Sequence, residues 1–153
     1  MTPVFWKVSM GPGGISREFK DLLSVLDWIR RGVVLVNKNV GSLGGGTSQF
    51  SPFIDKDRTG DYFYLCHGNQ EPSVILLGQF SGPANLHCSW SGWAERPFNW
   101  IKTSVSTKQF QGSRHWWTPN QPTTFAVVPE NELNEFEEGI LRPYFEFGLN
   151  DFS

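Results

Sequence analysis

Between Cys88 and Asn120 the chain reads CSWSGWAERPFNWIKTSVSTKQFQGSRHWWTPN, and five of its seven tryptophans fall there: Trp90, Trp93, Trp100, Trp116 and Trp117. Arg96, Lys102, Lys108 and Arg114 are interleaved with them, and Glu95 is the one acid. Indole faces stack on flat aromatic ligands and cations meet phosphates, so this mixture has the chemistry to hold a nucleic-acid strand. Core packing is the competing explanation for each indole. It suffices for Trp6 in a strand-like stretch, for Trp28 in a helical one, and for Trp100, which alternates with Asn99 and Ile101. Trp90, Trp93, Trp116 and Trp117 lie instead among Ser, Gly, Asn and Pro residues that read as loop. An indole in a surface loop is costly unless it packs beneath the loop or meets a ligand.

Other chemistries find less support. The glycine-rich GSLGGGTS (Gly41–Ser48) has Gly46 where a phosphate-binding loop needs its lysine. Cys66-His67 and His87-Cys88 suggest zinc, but Cys66 and His67 fall at a strand end, where neighbours point to opposite faces and cannot easily share a metal. Cys66 reads better as a small buried apolar residue. His67, His87 and His115 have no Ser or Cys nucleophile arranged with them. Glu18–Lys20 resembles a fragment of a nuclease motif but sits in a helical pattern. The residues point to neither catalysis nor a cofactor or metal.

These side chains need a scaffold, and 153 residues suffice for a single domain, 1–153, with a sizeable core. PVFWKVSM (Pro3–Met10) reads as a strand stopped by GPGG. Ser16 is a candidate N-cap for a helix over 16–31, with Phe19, Leu22, Leu23, Leu26 and Ile29 at helical spacing and Gly32 at its end. GVVLVN (Gly32–Asn37) is a short strand, and Lys38–Thr59 a long glycine- and serine-rich loop. GDYFYLCHGN and SVILLGQF form a hairpin about Asn69–Pro72. Residues 81–97 read as loop, FNWIKTSVS and TTFAVVP as strands, and 130–141 as an amphipathic helix ending at Pro143. The order predicts an α+β fold, a twisted β-barrel of about five or six strands flanked by helices.

Charge is unevenly placed. Seven acids and only Arg142 lie from Glu130 onward, so of 15 acids and 13 bases, 8 and 12 remain in residues 1–129, a formal +4 there against −2 overall. That balance permits contact with a polyanion. No apolar run is long enough to span a membrane, and the N-terminus lacks a signal-peptide pattern. With two cysteines, the expected setting is cytoplasmic.

The ordered set FWKVSMGPGG, WIRRGVVLVNKNVG, GDYFYLCHGN…VILLGQFSGP and HWWTPNQPTTFAVVPENELNEFEEGILRPYF resembles the EVE-type domain of the PUA-like superfamily. It is closest to the versions at the N-terminus of McrB-like, methylation-dependent restriction proteins, and the likeness runs through nearly the whole chain. The resemblance implies a PUA-like barrel with an aromatic pocket for a base swung out of its strand. It implies modified, notably methylated, double-stranded DNA as ligand, with an AAA+ GTPase domain of the same full-length protein and a McrC-like nuclease as partners. Carried onto this sequence, the pocket candidates are Trp90, Trp93 and Trp117, with Trp116 as a packing alternative and Ser9 and Asn37 as hydrogen-bonding groups. Where the family keeps an aromatic near the end of the second strand, this chain has VNKNVG. Lys38, Arg96, Lys108, Arg114, Lys56 and Arg58 are the candidate phosphate contacts. An RNA-binding PUA-like domain and a small nucleotide-acting enzyme are the rival expectations.

Overall fold

The computed structural model describes residues 2–9, 22–37, 53–54, 58–67, 74–85, 93–108, 114, 116 and 125–152. Six strands form one mixed sheet: β1 (Phe5–Ser9), β2 (Val33–Asn37), β3 (Tyr62–Cys66), β4 (Val74–Phe80), β5 (Trp93–Thr103) and β6 (Phe125–Val127), in the order β2-β5-β4-β3-β1-β6. β1 and β3 are parallel; every other pairing is antiparallel. The fold is α+β, with the sheet curled into a half-barrel.

β5 makes the curl. Its eleven residues are shared between two partners: Trp93–Pro97 pair with β2, and Phe98–Thr103 with β4. The handover falls at Pro97, and the β4–β5 register slips at Leu77/Gly78. A slip of this kind bends a strand and raises its twist. Gly78 is required there: a Cβ would lie 2.7 Å from the Phe63 ring and 2.9 Å from the Phe98 ring. The expectation of a loop through 81–97 is therefore corrected, since the strand begins five residues before Phe98. The β-branched and aromatic residues after Pro97 announce a strand, whereas Trp93–Pro97 depend on β2 for their pairing.

Alternation along the strands gives the sheet two apolar faces. Trp6, Val8, Phe63, Leu65, Leu76, Phe80, Phe98 and Phe125 meet inside the curl, with Val34 and Leu35 of β2 and Val25, Trp28 and Ile29 of helix α1 (Leu22–Ile29). Rings fill this interior. Trp6 stacks on Phe125 at 4.2 Å and 4°, and Phe53 meets both Phe80 and Phe125 edge-on. Gly32 ends α1 with φ 79°, as its position predicts. The proposed cap Ser16 lies outside the described residues.

The outer face carries Phe5, Tyr64, Cys66, Leu77 and Val128 and is covered by the C-terminal segment. That segment is a 3₁₀ turn (Glu130–Glu132), a single α-helical turn α2 (Leu133–Phe136), a π-helical stretch (Glu137–Phe145) and a last 3₁₀ turn (Leu149–Phe152). The expected stop at Pro143 is overturned. Ile140, Leu141, Tyr144 and Phe145 go on burying against the sheet on both sides of the proline, and the wider turns carry a residue that has no N–H.

Candidate nucleic-acid interface

The β2–β5 pairing sets Asn37 opposite Trp93. These two pocket candidates, 56 positions apart in the chain, become neighbours because antiparallel strands meet end to start. Glu95 lies between Leu35 of β2 on one side and Asn85 on the other. Asn85 and Glu95 exchange both backbone hydrogen bonds, at 2.7 and 3.0 Å. Trp90, Lys38 and Lys56 lie outside the described residues.

Arg96 of β5 is 0% exposed. The expectation that it contacts phosphate is corrected: no phosphate can reach it. Its Nη1 donates to the Phe53 carbonyl (2.7 Å), its Nε to the Gly82 carbonyl (3.0 Å) and its Nη2 to Thr59 Oγ1 (3.1 Å), and the guanidinium lies 5.1 Å from the Phe80 ring centre. Sequence reasoning missed this because a surface arginine and a buried one look alike until their acceptors are known. The alternation Ala94, Arg96, Phe98 was the available signal, since both neighbours at that spacing face the core. Phe53, within the stretch expected to be a long loop, is likewise buried.

Arg58 is half-buried. It lies 5.1 Å over the Trp6 ring and 3.9 Å from the Asp61 carboxylate, which also accepts the Trp6 indole N–H at 2.8 Å. Gly60 takes φ 95° and Asp61 accepts the Trp6 indole N–H, so the Gly-Asp pair forms the turn that enters β3.

The remaining candidates lie elsewhere. Ser9 ends β1 opposite Cys66, away from the β2–β5 corner in the order of the strands. Trp116 is 1% exposed, meets Phe136 edge-on and donates its indole N–H to Glu132 at 2.7 Å, the contacts of a packing residue. Arg114 forks onto Glu135 (3.1 and 2.8 Å), with Glu132 at 3.6 Å. The Glu135 hydrogen bonds, then the charges of Glu132 and Glu135, raise its pKa further. This exposed arginine is ion-paired with the acidic C-terminal segment. Lys108 is exposed and its carbonyl accepts the Tyr144 hydroxyl. Trp117 lies outside the described residues. Trp100, expected in the core, is 43% exposed, because β5 has no partner described beyond β4 once β2 has ended.

A second polar group lies on the outer face. Lys7 is buried, opposite Tyr64 across the parallel β1–β3 pair. Burial lowers its pKa, partly opposed by Cys66. Burial also raises the Tyr64 pKa well above its ordinary value, helped by Cys66 and Tyr144. Period-two reading of FWKVS would have placed Lys7 on the face of Phe5.

Comparison with protein-family models, with curated proteins and with solved structures gives no match to this chain. Among the described residues, no group of three or more His, Cys, Asp or Glu could hold a metal ion, and no helix is long and apolar enough to cross a membrane.

Proposed function

We propose that this chain is a non-catalytic, PUA-like recognition domain of the EVE type that binds double-stranded DNA and reads a modified base swung out of the duplex. The carrying observation is the backbone pairing of Asn37 with Trp93 at the end of the β2–β5 ladder. The register thereby sets a residue type that can read a base edge across from one that can stack on a base, at the end of the β2–β5 pair. That position is favoured over the interior because the interior is already packed with rings.

The energetics are consistent with this division of labour. Extruding a base costs a few kcal/mol, and stacking on an aromatic side chain returns about 1–3 kcal/mol per base. One methyl group in an apolar pocket contributes only about 1–3 kcal/mol, so polar groups such as Asn37 must select the base edge. Lys38, Lys56 and Lys108 are the proposed phosphate contacts. An AAA+ GTPase domain and a McrC-like nuclease would supply the action that follows recognition, in the cytoplasm.

The test is a panel of duplexes identical except for 5-methylcytosine, 5-hydroxymethylcytosine or N6-methyladenine, with matching RNA strands, at one salt concentration. Preference for one modified duplex over its unmodified twin is expected. Equal affinity across the DNA panel contradicts the reading, and tighter binding to the RNA strands transfers it to RNA.

A further inference from the structure

We infer a second binding surface, for an unpaired nucleic-acid strand, where the end of α1 meets the exposed part of β5: Arg30 and Arg31 take its phosphates and Trp100 takes one of its bases. The inference goes beyond the reading above and uses neither Asn37 nor Trp93. Of the described cations, Lys7 and Arg96 are buried. Arg58 is paired with Asp61, Lys102 with Glu146, Arg114 with Glu132 and Glu135, and Arg142 with Glu137 and Glu138. Arg30, Arg31 and Lys108 are exposed and make no ion pair with any described acid, Asp27 of α1 included.

The fold brings the two arginines to an exposed indole. Gly32, at φ 79°, turns the chain from α1 into β2, and its carbonyl accepts the Phe98 N–H at 3.0 Å. Val33 lies opposite Pro97, so the turn that carries Arg30 and Arg31 ends where Phe98, Asn99 and Trp100 run on past the start of β2. Both sides border one apolar cluster inside the curl, which holds Trp28 and Phe98. Arg31 lies 4.3 Å over the Trp28 ring, and the Trp100 ring lies 6.4 Å from that of Phe98. Trp100 is 43% exposed, and its indole N–H is turned back to Thr103 Oγ1 at 3.1 Å, which restrains the ring.

A helix C-terminus favours a nearby cation by itself, but that accounts for neither the second arginine nor the exposed indole. Stacking on Trp28 uses the face of the Arg31 guanidinium and leaves its N–H edges for phosphate oxygens. The bases of a duplex are stacked on one another, whereas an unpaired base offers its face to an aromatic side chain. Cations beside a flat ring therefore match a single strand better than a duplex. They also match it better than an acidic peptide, which has the charge but no base. Such a surface is tolerant of sequence, because every base has a face to stack.

The probe is an unmodified single-stranded oligothymidylate of about twelve nucleotides, within the span one such surface covers, with polyglutamate as a competitor that carries charge alone. Wild type is compared with the double variant Arg30→Gln, Arg31→Gln, with Trp100→Ala and with Trp100→Phe, each checked for fold. The double variant should lower the slope of log affinity against log salt by about 1.4, the counterion release of two phosphate contacts on a single strand. Trp100→Ala should bind the oligomer about five- to 150-fold more weakly, the scale of one stacked base, and Trp100→Phe should recover part of that loss. Polyglutamate should compete poorly, and preference for a modified duplex over its unmodified twin should be that of wild type in every variant. The inference is overturned if wild type does not bind the oligomer, if the folded double variant keeps its salt slope, or if Trp100→Ala keeps full affinity. Displacement of the oligomer by an equal charge of polyglutamate also overturns it, by leaving the indole no part. Should wild type bind the oligomer in this way but prefer no modified duplex, the proposed function fails and this surface stands.

Discussion

Two arginines, each a short step from a tryptophan, end in opposite situations. Arg96, three residues after Trp93, points inward and is spent on carbonyls and a hydroxyl. Arg114, two residues before Trp116, is spent outward on Glu132 and Glu135, and Trp116 gives its own N–H to the same Glu132. As sequence, both pairs are a basic residue near an indole in glycine- and serine-rich text. The difference is in what lies across from them: backbone carbonyls and a threonine hydroxyl in one case, an acidic helical segment in the other. An indole whose N–H and whose neighbouring cation are both taken by one acidic turn serves packing. The corner of Asn37 and Trp93 is the better place to seek a ligand.

The comparison is broken most forcefully at Trp116. Trp116→Ala should destabilise the fold by about 3–5 kcal/mol, the usual cost of emptying a buried aromatic site, as read from denaturant midpoints. Whatever folded fraction remains should keep its preference for modified DNA. A variant of normal stability with no preference would move the pocket to the outer face.

Gly78→Ala tests the curl that sets Trp93 apart from the rest of the sheet. The added methyl must displace the Phe63 or Phe98 ring, and overpacking of this kind costs about 1–3 kcal/mol. Thermal unfolding that matches wild type would show that the β4–β5 crossing is looser than these distances imply.

The buried outer-face cluster should be visible in alkaline pH dependence. Lys7 has a folded pKa below its ordinary 10.5, so between those values the unfolded chain binds the extra proton and stability rises with pH. Tyr64 and Tyr144 act in the opposite sense. Their folded pKa values lie above 10.0, so stability falls once pH passes that value. Lys7→Met should abolish the rise and keep the fall. Identical pH profiles for wild type and variant would place the Lys7 ammonium in water.

Arg114→Gln is expected to do least. The group is solvent-exposed and the pair is screened, so the unfolding midpoint should hardly move. Affinity for either duplex should not change, because this cation is already ion-paired. A weaker salt dependence in the variant would restore Arg114 to the phosphate contacts.

Much of the scaffold was legible because it rests on short-range pattern. The hairpin of β3 and β4, the strands at Phe5 and Val33, and Gly32 after α1 follow from period, β-branching and a positive-φ glycine. What failed depended on partners far away in the chain. Trp93–Pro97 become strand through β2, some sixty residues upstream. Arg96 finds its acceptors at Phe53, Thr59 and Gly82. Trp116 finds Glu132, and the π turns run past Pro143 because the sheet beyond it still offers apolar surface. Trp100 failed in the other sense: alternation identified the strand but not that its indole would be 43% exposed. Within the candidate site, the residue types were readable and their assembly was not, since only the register brings Asn37 to Trp93.

The central claim is that the β2–β5 corner reads the base. The most direct measurement is the affinity of wild type, Trp93→Ala and Trp116→Phe for one matched pair of duplexes, modified and unmodified, at a single salt concentration, with each variant checked for fold. The account predicts that Trp93→Ala loses about 1–3 kcal/mol on the modified duplex, the scale of one base stacked on one aromatic ring, and that its preference shrinks accordingly. Trp116→Phe should keep the preference of wild type. Full discrimination by a folded Trp93→Ala variant would contradict the claim.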